Sequence, residues 1–564
     1  MHIPILSLII WLPTVSLFFL LFLPTSRQKT FRYIALGTTL LQCIGVGLVV
    51  MRGLTNTPTE RFTWMRLDLG SLGTLAIDYL VGIDGLNIGF LLLSTLMLTM
   101  GVVASWHVQK HAKAYFALYL LMDTFIMGSF LALDLLLFYI FLEAILLPIY
   151  FFISIWGGSQ REQAAIKFSL YNLAGTVMIL MVLMGLSVSV YDPVATGLHW
   201  GLFSPGEVPS TEQIKAVQHL VQTHAIPTQD IVHSVNILLM EEAPNFIPDS
   251  VLGLLSSQFI GGKAARLVAF LGLVIGFFIK LAMIPFHSWL PDAHVEAPTP
   301  ISMILAAILL KIGGYGLLRM AYNIFPEGAI YYATGIGTLG ACAIIYAALT
   351  ALAMQDLKKM VAYASIAHMG FMLLGLASLT NEGVNGALYQ MISHGLIAAL
   401  LFGIVGVLQE RTQDRIIEHH SGLATRMPHY ATIAVISFFA ALGLPGFSSF
   451  IAELLVLMGA FRSSLLPRWM GMVGVVGILL NATYLIWTVQ KVFWGNFSLR
   501  SPAGPSILKD LHAREYMLFI PLLLFTFFLG VCPQWLLDLV TEATQQLVTR
   551  VHTVGKENLG IILP

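Results

Sequence analysis

Two lysines sit deep inside apolar runs of this chain: Lys280 in FLGLVIGFFIKLAMIPF and Lys311 in ISMILAAILLKIGGYGLL. On insertion scales a lysine near the middle of a bilayer costs ~2.5–3.5 kcal/mol, so each needs a partner or a water-filled cavity. The inventory of ionisable groups in apolar runs continues with Asp123, Glu143, His368, His394 and Glu453. Buried groups of this kind pair with an opposite charge or neutralise. A buried lysine beside a glutamate, with an attraction that can be strengthened or relaxed, is a proton switch. A file of Lys, His and Glu on neighbouring helices, bridged by water, carries protons through a membrane.

Plainer roles compete with that chemistry. Glu143 and Lys280 would also make a static buried ion pair, and Lys311 would also be a packing residue whose ammonium reaches a carbonyl freed near Gly313 and Gly314. A lone helical histidine is more often a satisfied core residue, which applies to His368 and His394. Asp123 is equally a relay member or a hydrogen-bonding contact. The polar turn between the lysines holds His287, Trp289, Asp292, His294 and Glu296, with no third strong ligand at helical spacing, so no metal site is expected. Gly335, Gly337 and Gly340 spell GxGxxG, but inside an apolar run with no preceding strand, where helix packing explains them better. No Walker, haem or flavin pattern appears, and no cofactor is expected on this chain.

The elements that position these groups are membrane helices. The 564 residues are 57% hydrophobic and 10% charged, whereas soluble domains carry about 25% charged residues. Basic and acidic residues balance at 29 each, so no field points to nucleic acid. Apolar runs near the ~20 residues that span hydrocarbon give about fourteen helices. They cover 3–23, 31–51, 84–106, 114–132, 135–156, 166–189, 265–287, 300–320, 330–352, 361–379, 388–408, 430–461, 469–492 and 515–534. Alternating barrel strands are absent from the pattern. The three cysteines, Cys43, Cys342 and Cys532, lack metal or disulfide spacing and read as packed thiols. The N-terminus lacks a basic n-region and reads as a retained first helix. The basic residues favour the connections that face the cytoplasm when both termini lie outside.

Two stretches are polar, 53–78 and the longer insert 192–262. The insert carries three amphipathic patterns. One starts at a capping box, Ser210 to Gln213, with Ile214, Val217, Leu220 and Val221 on one face. A second groups Ile231, Val235, Leu238 and Leu239, and a third runs from Pro248 to Ile260. They are expected on the membrane surface or against a neighbouring chain rather than in a small autonomous domain.

Lys280 is followed by Pro285, and Glu453 lies beside Leu444-Pro445-Gly446, so both helices are expected to break near a charge. A charged, discontinuous helix at matching places in two halves is the signature of an inverted-repeat transporter. The halves would be 114–320, containing the insert, and 330–492, flanked by an N-terminal segment 1–113 and a C-terminal helix and tail 493–564.

The stretch IKLAMIPFHSWLPDAHVEAPTPISMILAAILLKIGGYGLLR resembles the antiporter-like membrane subunits of respiratory complex I, the NADH–quinone oxidoreductase. WLPDAH, EAPTP and LLKIGGYGLLR are similar to the M type, the counterpart of mitochondrial subunit four. The resemblance covers nearly everything except 192–262. It implies an all-α membrane fold of two inverted five-helix repeats, each with a broken helix. It implies that Glu143 and Lys280 are the switch pair, that Lys311 is the central relay lysine, and that His368 and His394 hand on toward Glu453. Glu453 points to the M type, since the L and N types carry lysine there, and the tail is short beside the lateral arm of the L type. The implied function is proton translocation without a redox centre, driven by quinone reduction elsewhere in the complex. The implied setting is the bacterial cytoplasmic membrane, with L-type and N-type subunits as flanking partners. An Mrp-type sodium/proton antiporter or a related membrane-bound hydrogenase is the alternative, and an inert scaffold would leave several buried charges without purpose. The insert is longer than the family's usual connection, Leu142 stands where an aromatic often precedes the glutamate, and Asp123 has no place in the implied relay.

Overall fold

The computed structural model describes residues 4–51, 59–204, 209–254, 259–260, 263–500 and 508–562. Among them, twelve helices are long and apolar enough to cross a membrane: Ile5–Phe22, Gln28–Met51, Ile88–His107, Ala112–Leu131, Leu135–Trp156, Arg161–Ser189, Thr299–Tyr322, Ala333–Ala353, Leu357–Ala377, Asn381–Thr412, Arg468–Phe493 and Ala513–Val531. Thr299–Tyr322 and Asn381–Thr412 are buried along their apolar middle stretches at the centre, as helices apolar all round must be when they pack on protein rather than lipid. The outer helices Ile5–Phe22 and Arg468–Phe493 instead show Phe18, Phe22, Met472 and Leu479 to the surface.

Two further apolar stretches are interrupted. The first runs as a helix over Ala265–Lys280, turns through 281–288, and resumes at Trp289–Glu296. It therefore stops at Lys280 instead of continuing to 287, because Pro285 has no N–H for a helical bond and Ala282 takes a positive φ of 54°. The second breaks between Pro428–Ala441 and Ser448–Arg462, at the Leu444-Pro445-Gly446 sequence. Each interrupted stretch packs on a long helix, Ala265–Lys280 on Arg161–Ser189 and Ser448–Arg462 on Asn381–Thr412.

The polar stretches meet on one face, hereafter the insert face. Strand β1 (Thr59–Asp68) pairs antiparallel with β2 (Thr74–Gly82), and β2 pairs parallel with β3 (Val232–Ser234) of the insert. Ser210 caps the helix Thr211–Gln222 through the capping box read from the sequence. Val217 and Val221 join Tyr191, Phe203, Ile226 and Ile231 in a small core.

The second amphipathic pattern is not one helix. Ile231 and Val235 flank β3, and only Ile237–Met240 forms a turn of helix, because the ladder with β2 captures the segment. Of the third pattern, 255–258 lies outside the described residues, Pro248 to Gly253 form turns, and Phe259–Ile260 pairs with Lys263–Ala264. The insert shares its sheet with the 59–82 hairpin and is docked rather than autonomous. The three cysteines are free, and Cys342, on Ala333–Ala353, and Cys532, just past the end of Ala513–Val531, are exposed instead of packed, since a thiol facing lipid loses nothing by it. The tail folds as Gln534–Arg550, continuing through a π-turn into Lys556–Ile562.

Candidate proton path

Lys311 sits mid-way along Thr299–Tyr322, between two π-turns, Leu305–Leu309 and Leu317–Tyr322. A π-turn leaves carbonyls out of the regular ladder. Lys311 Nζ donates to one of them, Ala306 O, at 2.6 Å, and lies 2.7 Å from His394 Nδ1. The carbonyl partner foreseen near Gly313 is thus Ala306 on the preceding turn, and the lysine has a titratable neighbour as well.

His394 leads onward. Its ring centroid lies 5.3 Å from that of His368, whose Nδ1 accepts from Gln390 Nε2 at 2.9 Å and stands 3.9 Å from Glu453 Oε1. Glu453 also accepts from Ser449 Oγ at 3.3 Å. The helix break places this carboxylate. Gly443 has a φ of +78°, which favours glycine, and a Cβ on it would fall 2.6 Å from Glu453 Oε2. Ser393 and Ser448 hydroxyls, 2.7 Å apart, tie the same two helices together. Lys311, His394, His368 and Glu453 therefore form one buried file across three helices and the second half of a broken one.

Lys280 and Glu143 are placed differently. Lys280 ends its helix, fully buried, and its ammonium has no hydrogen-bond partner among the described residues. Trp289 Nε1 caps the turn beyond it by donating to Ile279 O at 2.9 Å. Glu143 stands just before a one-residue interruption at Ile145, with Pro148 unable to donate to the Ala144 carbonyl. It is half-buried, and its Oε2 also lacks a partner among the described residues. The field of Glu143 reaches Lys280, yet no ion-pair contact joins them. The arrangement is an open pair, not a static salt bridge. Gly313 brings the two lysine-bearing elements together, since a Cβ there would lie 3.2 Å from both Leu281 N and Phe277 O.

Two buried groups lie outside the relay read from the sequence. His294 is wholly buried, stacks on Phe402 at 4.4 Å, and has both ring nitrogens without partners among the described residues. It lies within the electrostatic reach of both Lys311 and Lys358. Lys358 begins the Leu357–Ala377 helix, where a lysine reads as a loop charge, yet it is buried and donates to Ala297 O at 2.8 Å. A histidine in the connection between two lysine-bearing helices is the signal for the first. The second had none. His287 and Asp292 do not join the file: Asp292 pairs at the surface with Lys167 at 2.7 Å, and His287 meets Tyr346 edge-on. Asp123 is wholly buried on Ala112–Leu131, and its polar neighbour is Gln42 of the Gln28–Met51 helix rather than any member of the file.

The family described as "NADH:quinone oxidoreductase/Mrp antiporter, TM" matches residues 132–190 and 239–481. A relative from Rhodobacter capsulatus named NADH-quinone oxidoreductase subunit M is 36% identical over 85% of this chain and 83% of its own. A chain of the respiratory complex I from Thermus thermophilus with bound NADH superposes with a TM-score of 0.74 at 27% identity, covering 97% of this chain and 99% of that one. A chain of the Mrp complex from Dietzia sp. superposes at 0.73 over the full length of both, with 18% identity, a likeness of fold. The chain belongs to the NADH:quinone oxidoreductase/Mrp antiporter membrane family, on the side of its subunit M members.

Proposed function

We propose that this chain is a proton-translocating membrane subunit of an NADH–quinone oxidoreductase. The observation that carries the reading is the continuous file Lys311–His394–His368–Glu453 inside an otherwise apolar core. Each member releases and rebinds a proton, and each is held on a rigid helix within reach of the next. The open Glu143–Lys280 pair is the switch: drawing the carboxylate toward the ammonium, or away, changes how firmly Lys280 holds its proton. His294, within electrostatic reach of both Lys358 and Lys311, is the link toward the face opposite the insert. No electron carrier is assigned to the chain. Electrons pass elsewhere, and the switch is driven through neighbouring subunits, with L-type and N-type chains as the flanking partners.

The two interrupted stretches, added to the twelve helices long enough to cross, give an even number of crossings. Both termini and the insert then lie on the outer face of a bacterial cytoplasmic membrane, and 114–320 and 330–492 are the two repeats. An Mrp-type exchanger shares the family and the fold, but the relative named subunit M favours the oxidoreductase. The test is Lys311→Ala in the assembled complex, reconstituted in liposomes, with protons moved per NADH as the readout. A lowered ratio in a complex that still oxidises NADH is expected. An unchanged ratio overturns the relay.

A further inference from the structure

At the insert face the helix that carries Lys311 ends in a polar cavity of about 740 Å³. Asp84, Arg319 and Asn323 line one side, Glu542 and Gln546 of the tail helix line the other, and the insert contributes Glu241. Glu241 is held by Arg550 at 3.0 Å, so the insert and the tail close the wall together. With Asp538 also present, the lining acids outnumber its two arginines, a balance that concentrates cations.

The cavity connects to the relay along one helix face. Residues 311, 315 and 319 follow at four-residue spacing, which places Tyr315 about 6 Å and Arg319 about 12 Å beyond Lys311 along the axis. Arg319 is buried, donates to both oxygens of Asp84 at 2.6 and 2.5 Å, and reaches the Tyr315 hydroxyl at 3.0 Å. Tyr315 donates onward to Phe130 O at 3.2 Å. Around it Phe90 stacks on Phe130 at 5.4 Å, and both rings meet Tyr315 edge-on at 5.9 and 5.5 Å. An apolar constriction with one hydroxyl at its centre thus separates Lys311 from the cavity. Such constrictions gate by excluding water.

We propose that this cavity is the outer mouth of the relay, with the Phe90–Phe130–Tyr315 cluster as its gate and Asp84 as the group that exchanges protons with Lys311. The inference rests on the proton-relay reading above and adds an opening to it. When the gate admits water, the Lys311 ammonium gives one proton to that water and becomes a neutral amine. The proton reaches an oxygen of the partly exposed Asp84 carboxylate, displacing one of its two bonds from Arg319. The carboxylic acid so formed gives it to the aqueous phase on the insert face, after which the Arg319 bond re-forms. The histidine file restores the proton to Lys311. This gives the insert a task, since Glu241 and its bond to Arg550 shape the mouth.

The test uses the assembled complex in liposomes, with Lys311→Ala measured in parallel. Asp84→Asn keeps the size of the side chain and is expected to lower protons per NADH to the level of Lys311→Ala. Gln546→Trp fills the cavity from the tail helix and leaves Asp84 and Arg319 unchanged, is expected to do the same, and decides the matter if Asp84→Asn fails to assemble. Phe130→Ala is expected to speed the passive decay of a pH gradient several-fold with electron transfer stopped. Wild-type ratios in Asp84→Asn and Gln546→Trp beside a lowered ratio in Lys311→Ala overturn the mouth and leave the relay standing. A wild-type ratio in Lys311→Ala overturns the relay itself.

Discussion

Replacing Lys311 first by methionine and then by arginine separates proton carriage from structural support. The ammonium makes two bonds, to Ala306 O at 2.6 Å and with His394 Nδ1 at 2.7 Å, on a fully buried residue. Lys311→Met fills a similar volume but strands both acceptors, each at a cost of about 1–3 kcal/mol. It also removes a buried cation with an insertion cost of about 2.5–3.5 kcal/mol. The two effects oppose, and the balance lies between about −1.5 and +3.5 kcal/mol on those same scales. A change of that size in a helix packed on every side should leave the subunit folded and the complex assembled. Proton movement should nevertheless fall.

Lys311→Arg sharpens the point. Arginine keeps a cation and five N–H donors but does not give up its proton in a protein. If Lys311 serves only by packing or by bonding Ala306, arginine should restore function; if it carries protons, arginine should fail as methionine does. The assay is acidification per NADH oxidised in proteoliposomes, with native gel electrophoresis to establish assembly. A wild-type ratio in Lys311→Arg refutes proton carriage, and collapse of assembly in Lys311→Met refutes the energy balance.

Glu143→Gln should cut protons per NADH strongly while the complex assembles, because no salt bridge is lost; defective assembly with normal pumping would restore the static-pair reading. Gly443→Ala adds a Cβ 2.6 Å from Glu453 Oε2 at a φ of +78°, so pumping should fall although no charge changes, and a wild-type ratio would remove the helix break from the mechanism. Arg266→Met leaves Glu327 buried without its 2.7 Å partner, and loss of one member of such a pair costs about 3–5 kcal/mol; the thermal midpoint of the complex should drop, and the double change Arg266→Met with Glu327→Leu should recover most of it. In the insert, burial holds the His233 imidazole below its ordinary value. The neutral ring is therefore the folded form, and docking of β3 should be intact at neutral pH and loosen as pH falls below about 6.5. Hydrogen exchange at residues 231–235, corrected for its intrinsic pH dependence, should show this in the wild type and not in His233→Gln.

How much of this was legible in the sequence depends on how unusual each residue is where it stands. Lys280 and Lys311 announce themselves because a charge in an apolar run needs a reason, and both helix breaks are written in Pro285 and in Leu444-Pro445-Gly446. Lys358 carries no such mark, since a lysine at a helix start is ordinary, and only packing shows it buried. His294 was visible but stood in a polar turn that first suggests a connector. The strand β3 lies hidden inside an amphipathic pattern because its three residues are fixed by a ladder to β2, far away in the chain, which local periodicity cannot register. The openness of the Glu143–Lys280 pair is likewise a matter of geometry. Asp123 is legible as a buried acid, and nothing it touches assigns it a task.

The buried charges of this molecule fall into two chemical classes, and the division argues for the relay. Tight buried pairs use arginine: Arg266 with Glu327 at 2.7 Å and Arg411 with Glu515 at 2.7 Å. Each lies toward one face of the bundle and ties elements together, and a planar guanidinium that keeps its proton suits a fixed tie. The central file contains no arginine. Lysine, histidine and glutamate occupy it, each able to lose and regain a proton. Lys311 and Glu453, with Lys280 beside the file, sit where helix regularity fails, at the end of Ala265–Lys280, between the π-turns around Lys311 and beside the break at Gly443. His368 and His394 stand on unbroken helices. Irregular backbone at membrane depth survives only where protein or an aqueous cavity satisfies it. A scaffold would place its permanent pairs at the centre and keep its helices whole. Here the permanent pairs stand at the rims, and the centre holds the groups whose charge can change.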